Sequence, residues 1–350
     1  MNTWGKPIRI VWVALALLVA GAPVLGQDNP QNTSDVNRVG TTAAQFLKIG
    51  VGGRAIGMGG AYTAIAKDIN AIYWNPAGLS RVVGNGEATF NHADWLAGTD
   101  YDFAAFSVNA GYLGAVGVHV ISFRTPEEDV RTVANPEGTG QKWDMNSFSM
   151  GLTYSRNLTD RFSIGFTGKF VYEKIFNVSA RGAAFDLGVM FDTPIESITL
   201  GAVISNFGTK MQLKGRDLYI NVDPINGSGG ISEVPAEYRT ESYDMPLNLK
   251  FGLAWRAVRT EEVQVLATVE GNQPNDNSEY VNSGLEIGLK NTIFLRGGYK
   301  ALLLEDSEEG LTFGAGIRYD VVGTNLAFDF GWADFGRLNN VKFVTFSVKY

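Results

Sequence analysis

Leu247-Asn248-Leu249-Lys250-Phe251-Gly252-Leu253-Ala254-Trp255 alternates large apolar residues with small or polar ones, and its single charge, Lys250, stands on the row opposite Leu249, Phe251 and Trp255. A period of two marks a strand with one apolar face. The same pattern runs from residue 87 to the end of the chain in segments of about nine to twelve residues, each closed by Gly, Asn, Asp or Pro. Clear segments fall at 147–154, 162–172, 184–191, 198–207, 247–255, 263–272, 282–290, 292–299, 311–319, 325–332 and 341–350. Weaker ones fall at 87–95, 101–109 and 113–123. That makes about fourteen strands, an even number of the kind that closes bacterial membrane barrels.

The connections alternate in length, as expected of a barrel with short turns on one side of a membrane and long loops on the other. Long ones are expected at 124–146, 173–181, 208–245, 273–281, 301–310 and 333–340, with short ones between them. The connection near 97–100 is short and breaks the alternation. Charge placement gives a second test. Lys169, Asp186, Lys250, Glu270, Glu286, Arg296, Arg318 and Asp329 all take the parity opposite to the apolar row of their strand. A charge on a lipid-facing position costs about 2–4 kcal/mol at the midplane, so these eight are expected in the lumen. A large soluble β-sandwich would alternate in the same way. The apolar rows are rich in large residues and often end in an aromatic, which suits a membrane interface and favours the barrel.

The last segment supports this. Val344, Phe346, Val348 and the terminal Tyr350 form an apolar row interrupted by Thr345, Ser347 and Lys349. It resembles the C-terminal signal by which the barrel assembly machinery recognises outer-membrane barrels. At the other end, Lys6 and Arg9 precede an apolar run from Ile10 to Ala20, with short residues before Gln27, which reads as a secretory signal over residues 1–26. The apolar run is too short for the roughly 20 residues of a spanning helix. The division expected is therefore signal peptide 1–26, N-terminal extension and plug 27–86, and outer-membrane barrel 87–350.

Composition narrows the function. The 350 residues include 42 glycines, no cysteine and two histidines, His92 and His119, with a net charge of −7. These numbers exclude cysteine nucleophiles, Cys-based metal centres and a three-histidine site, and they disfavour nucleic acid as a partner. The acidic runs 127–129 and 305–309 lack an EF-hand pattern and read as solvated loops. Neither His accompanies a G-x-S-x-G nucleophile motif, so no enzyme, metal or cofactor is expected.

Residues 50–79 are glycine-rich but satisfy neither G-x-G-x-x-G nor the P-loop pattern, and small residues here suit tight packing in a confined space. Asp68 is the expected cap of a helix over 69–74 that Pro76 and Gly78 would stop. The run Gly57-Met58-Gly59-Gly60-Ala61, followed by Asn75-Pro76-Ala77-Gly78-Leu79, resembles the N-terminal signature of the PorV/PorQ family. That family is a branch of the FadL-like superfamily of outer-membrane barrels, and the resemblance covers nearly the whole mature chain. It implies fourteen strands with an N-terminal hatch. In the PorV branch it implies an adaptor of type IX secretion that collects secreted cargo and works with other secretion subunits; the long loops at 124–146 and 208–245 would then be contact surfaces, with Gly227-Ser228-Gly229-Gly230 lending mobility. The alternative is a passive transporter of hydrophobic small molecules. Among the eight interior charges four are positive and four negative, which argues for a paired, filled interior and against an ion-selective pore.

Overall fold

The computed structural model describes residues 38–195, 197–222 and 234–350. The expected signal peptide and the Gly227–Gly230 stretch lie outside the described residues. Fourteen antiparallel strands close on themselves. They are β1 (Gly86–Asp94), β2 (Asp100–Asn109), β3 (Ala115–Arg124), β4 (Met145–Asn157), β5 (Phe162–Ile175), β6 (Val178–Asp192) and β7 (Ile198–Gly208). The second half comprises β8 (Asn248–Arg259), β9 (Val263–Pro274), β10 (Tyr280–Leu289), β11 (Ile293–Leu302), β12 (Leu311–Val321), β13 (Thr324–Asp334) and β14 (Asn340–Lys349). Each strand pairs with its sequence neighbour, and β14 pairs with β1 from Lys342–Lys349 to Glu87–Asp94.

Alternation decides which way every side chain points. Phe251 and Leu253 are 59% and 44% exposed on the outside of β8, whereas Glu270 and Asp186 are 1% and 2% exposed inside β9 and β6. The outer surface is an apolar belt that lipid covers, and the closely packed core lies within the barrel. Val344, Phe346 and Tyr350 face outward on or beyond β14. The Tyr350 carbonyl accepts from the amides of Asn85 and Gly86 (2.7 and 3.1 Å), and its ring stacks on Phe106, so the last residue fastens the closing seam.

One expectation about connections is corrected. The long loop expected at 173–181 is a two-residue turn, Phe176-Asn177, because β5 and β6 run to 14 and 15 residues. Only about 9–11 residues of a tilted strand lie within the bilayer. Beyond it the ladder continues without needing an apolar outer row, so alternation fades before the strand ends. The connection between β1 and β2 spans 95–99 and stands at the same end as the long loops. The two longest loops, 125–144 and 209–247, carry small hairpins of their own, including Tyr219–Val222 paired with Val234–Glu237.

Inside the barrel, residues 42–82 run from the long-loop end to the end where β1 begins. This plug holds a 3-10 turn at Gln45–Lys48, short helices α1 (Gly53–Gly57) and α2 (Ala71–Trp74), and a second 3-10 turn at Pro76–Arg81. The helix expected over 69–74 is shorter: Asn70 occupies the cap, and Asp68 Oδ1 accepts from the Asn70 amide one turn earlier. The helix does stop ahead of Pro76, with Asn75 in extended backbone, and Pro76 then takes the first position of the following turn, where its missing N–H is no loss.

Candidate functional site

The plug sits on glycines of the wall. Gly331, Gly314, Gly298, Gly284, Gly252, Gly201, Gly188 and Gly165 all face the lumen and touch it. A Cβ on Gly57 would lie 2.8 Å from Gly314 Cα, and one on Gly201 would lie 2.6 Å from the Thr63 carbonyl oxygen. Contacts this close exist only where the wall residue lacks a side chain. Gly59 and Gly60 have φ of +66° and +74°, so the turn between α1 and Tyr62 also needs glycine for its backbone. Two amides of the segment also bond to the wall: Gly53 N, at the start of α1, to Thr345 Oγ1 at 2.8 Å and Gly59 N to Thr312 Oγ1 at 3.0 Å.

The Asn75-Pro76-Ala77-Gly78 motif is a second anchor. Asn75 Nδ2 donates to the carbonyls of Thr63 (2.8 Å) in the plug and Val189 (3.0 Å) in β6, while its Oδ1 accepts from Ala77 N (3.1 Å). Pro76 packs on Gly188 and Gly165. The Ala77 carbonyl accepts from Ser155 Oγ at 3.0 Å, and Gly78 lies too close to Ala66 for any side chain.

All eight interior charges face the lumen, and most meet a partner. Arg318 pairs with Asp329 (2.8 Å), Asp329 with Arg296 (2.7 Å), and Arg296 with Glu286 (2.6 Å). The plug extends this chain, because Arg54 makes a two-pronged pair with Glu286 (2.9 and 2.8 Å) and reaches Asp68, which accepts from the Tyr62 hydroxyl. Positive and negative groups alternate along the whole chain. Lys169 pairs with Asp186 at 2.7 Å beside Asn206, whose amide donates to the same carboxylate where β7 bulges. Glu270 accepts the amides of Tyr62 and Thr63 (3.1 and 2.8 Å). Lys250 lies over the Trp74 ring, 4.9 Å from its centroid. The sequence pattern assigns Arg54 no role, Asp68 only that of a helix cap and Trp74 only that of a helix end, although a charge such as Arg54 in an apolar run must find a buried partner somewhere.

Above α2 the long-loop end opens into a cavity of about 230 Å³, walled in part by Leu47, Tyr73, Trp74, Pro246 and Leu304. Its rim is latched by Asp276, in the loop between β9 and β10, which accepts from Thr42 (2.7 Å), Gln45 (3.0 Å) and Lys48 (3.0 Å) of the plug. Burial opposes ionisation of Asp276, but the hydrogen bonds from Gln45, Thr42 and Lys48 outweigh it and hold the carboxyl below its ordinary range. A depressed folded pKa stabilises above the unfolded value, about 3.9, and that contribution is lost as pH falls through the folded value. The latch is therefore expected to hold at neutral pH and to release only as pH falls below the ordinary carboxylate range. A fluorophore on Thr41→Cys should lose anisotropy on that acid limb, and Asp276→Ala should show the low value already at pH 7. A pH-independent signal in both proteins would reject the latch.

The model of an uncharacterised family, UPF0164, matches residues 20–181. Among curated proteins none matches the chain. Solved structures do. The toluene transporter TodX of Pseudomonas putida superposes with a TM-score of 0.52 at 13% identity, over 84% of this chain and 95% of that one. The fold is FadL-like. The toluene transporter TbuX of Ralstonia pickettii gives 0.50 at 12% identity over 85% and 97% of the two chains, and the monoaromatic hydrocarbon channel CymD gives 0.53 at 11% over 85% and 96%. This FadL-like barrel, with its apolar belt, is an outer-membrane protein.

Proposed function

We propose that this FadL-like barrel is a passive conduit for small, largely apolar molecules across the outer membrane, with the plug as its gate. The observation that carries the reading is the cavity at the long-loop end, bounded by Tyr73 and Trp74 of the plug itself, so that movement of the stopper and access to the chamber are one event. TodX and TbuX, named as toluene transporters, share the architecture and lend support. The alternating ion pairs leave no strong field of one sign for ion selection. In this reading the chain catalyses nothing: His119 packs on Phe103, and His92 is held by Asp102 and Asp94.

A second reading, the PorV-like secretion adaptor, draws on the outer hairpin Tyr219–Val222 with Val234–Glu237, which presents exposed Tyr219 and Tyr238 beyond the wall. One pair of variants separates the two. A conduit should keep uptake of labelled toluene when residues 215–234 are excised, and Asn75→Ala should change that uptake several-fold by loosening the plug. An adaptor should instead lose co-purifying exported proteins on the excision, with toluene uptake at background in every variant; that outcome would replace the first reading by the second.

A further inference from the structure

The charges that line the outer cavity do not cancel. Lys48, Lys169, Lys250 and Lys300 contribute ammonium groups to it. Three of them are matched: Lys48 with Asp276 at 3.0 Å, Lys169 with Asp186 at 2.7 Å, and Lys300 with Glu309 at 2.6 Å. Lys250 is left. Among the described residues no carboxylate lies within 4 Å of its Nζ; Glu270, which faces the lumen on the adjacent strand, gives Oε2 to the amides of Tyr62 and Thr63, keeps Oε1 without a hydrogen bond, and offsets the ammonium only at longer range. Only the face of Trp74 meets the ammonium.

A second unpartnered donor stands directly across the ladder. Asn272 is the register partner of Lys250 in β9, and both point inward to the cavity. Asn272 is 4% exposed; its Oδ1 accepts from Asn248 Nδ2 at 3.4 Å, which orients the amide, and its Nδ2 has no partner. A buried donor without an acceptor is costly, and a buried ammonium without one more so. The two donors together describe the complement of a carboxylate, which accepts through both oxygens and forms its stronger hydrogen bonds with charged groups. The rest of the chamber is ring-sized. An apolar cavity of about 150 Å³ suffices for benzene, and this one, of about 230 Å³, has Tyr73 and Leu47 along one wall.

We propose that the outer cavity selects small aromatic carboxylates, held by Lys250 Nζ and Asn272 Nδ2 with the ring against Tyr73. As a statement about the conduit's substrate it rests on the transport reading above, but the binding site stands on its own geometry. A neutral hydrocarbon leaves both donors unmatched, and an amine would meet a like charge.

The test uses the full chain in detergent micelles, titrated by calorimetry with benzoate, toluene and benzylamine. Benzoate should bind, Lys250→Met should weaken it at least tenfold, Asn272→Leu several-fold, and Lys250→Arg should restore most of it, with benzylamine silent throughout. Heat-modifiable migration checks that each variant is folded; if Lys250→Met does not fold, Lys250→Gln takes its place. Benzoate binding that is absent from the folded wild type, or unchanged without the lysine, overturns the proposal. Proteoliposome uptake separates the two claims: benzoate bound but not passed would leave the site standing and remove the conduit, whereas toluene passed with no benzoate bound would do the reverse.

Discussion

Gly298→Val is expected to unseat the plug while the wall stays folded. Gly298 lies on β11 opposite Gly284 of β10, and these two residues form the floor on which Met58 and Gly59 rest. A Cβ at 298 would lie 2.6 Å from the Met58 carbonyl carbon and 2.8 Å from Gly59 Cα. Neither can yield locally, because Gly59 is held by Thr312 and its own turn by Gly60. The wall has no such difficulty: Gly298 sits in extended backbone, and a β-branched residue suits a strand. Overpacking costs about 1–3 kcal/mol, occasionally more, which raises the population with the plug displaced roughly five- to 150-fold. Conductance in planar bilayers should rise accordingly, while heat-modifiable migration remains that of an intact barrel. A Gly298→Val protein with wild-type conductance would mean that the glycines are not a seat.

The strands could be read from sequence because a bilayer forces every outward position to be apolar, and the clearest were those whose rows carry large residues, such as Leu249, Phe251 and Leu253. Strand β1 read weakly because its outward row is only Ala88, Phe90, His92 and Asp94, with polar residues at the rim. The extended tips of β5 and β6 read as a loop, since beyond the bilayer nothing enforces the pattern. The lumen was legible only by half. Parity singled out the eight wall charges, but parity says nothing about partners, and Arg54 meets Glu286 across 232 residues. Likewise Gly57, Gly59 and Asn75 stood out as a motif, whereas the wall glycines that receive them are scattered singly over eight strands. Small residues in strands look like weak strand formers until the plug is in place.

Arg296→Leu should do the opposite of the glycine variant, lowering stability without opening the lumen. Its side chain is 0% exposed and joins Glu286 to Asp329, so removing it leaves two buried carboxylates one positive charge short. Breaking a buried pair in this way costs about 3–5 kcal/mol. The loss should appear as a lower urea midpoint for unfolding from micelles. Glu286 would still be gripped by the two-pronged Arg54, so the plug loses none of its own tethers and conductance should stay near wild type. The double variant Arg296→Leu with Asp329→Leu restores charge balance: Glu286 keeps Arg54, and Arg318, which is 19% exposed, can reach water. Replacing a whole buried pair by apolar groups is often close to neutral, so the second substitution should recover most of what the first removed. If the two losses simply add, the lumen charges act independently. Recovery would show that alternation of sign along the chain from Arg318 to Asp68 is what makes so many charges tolerable inside a sealed barrel.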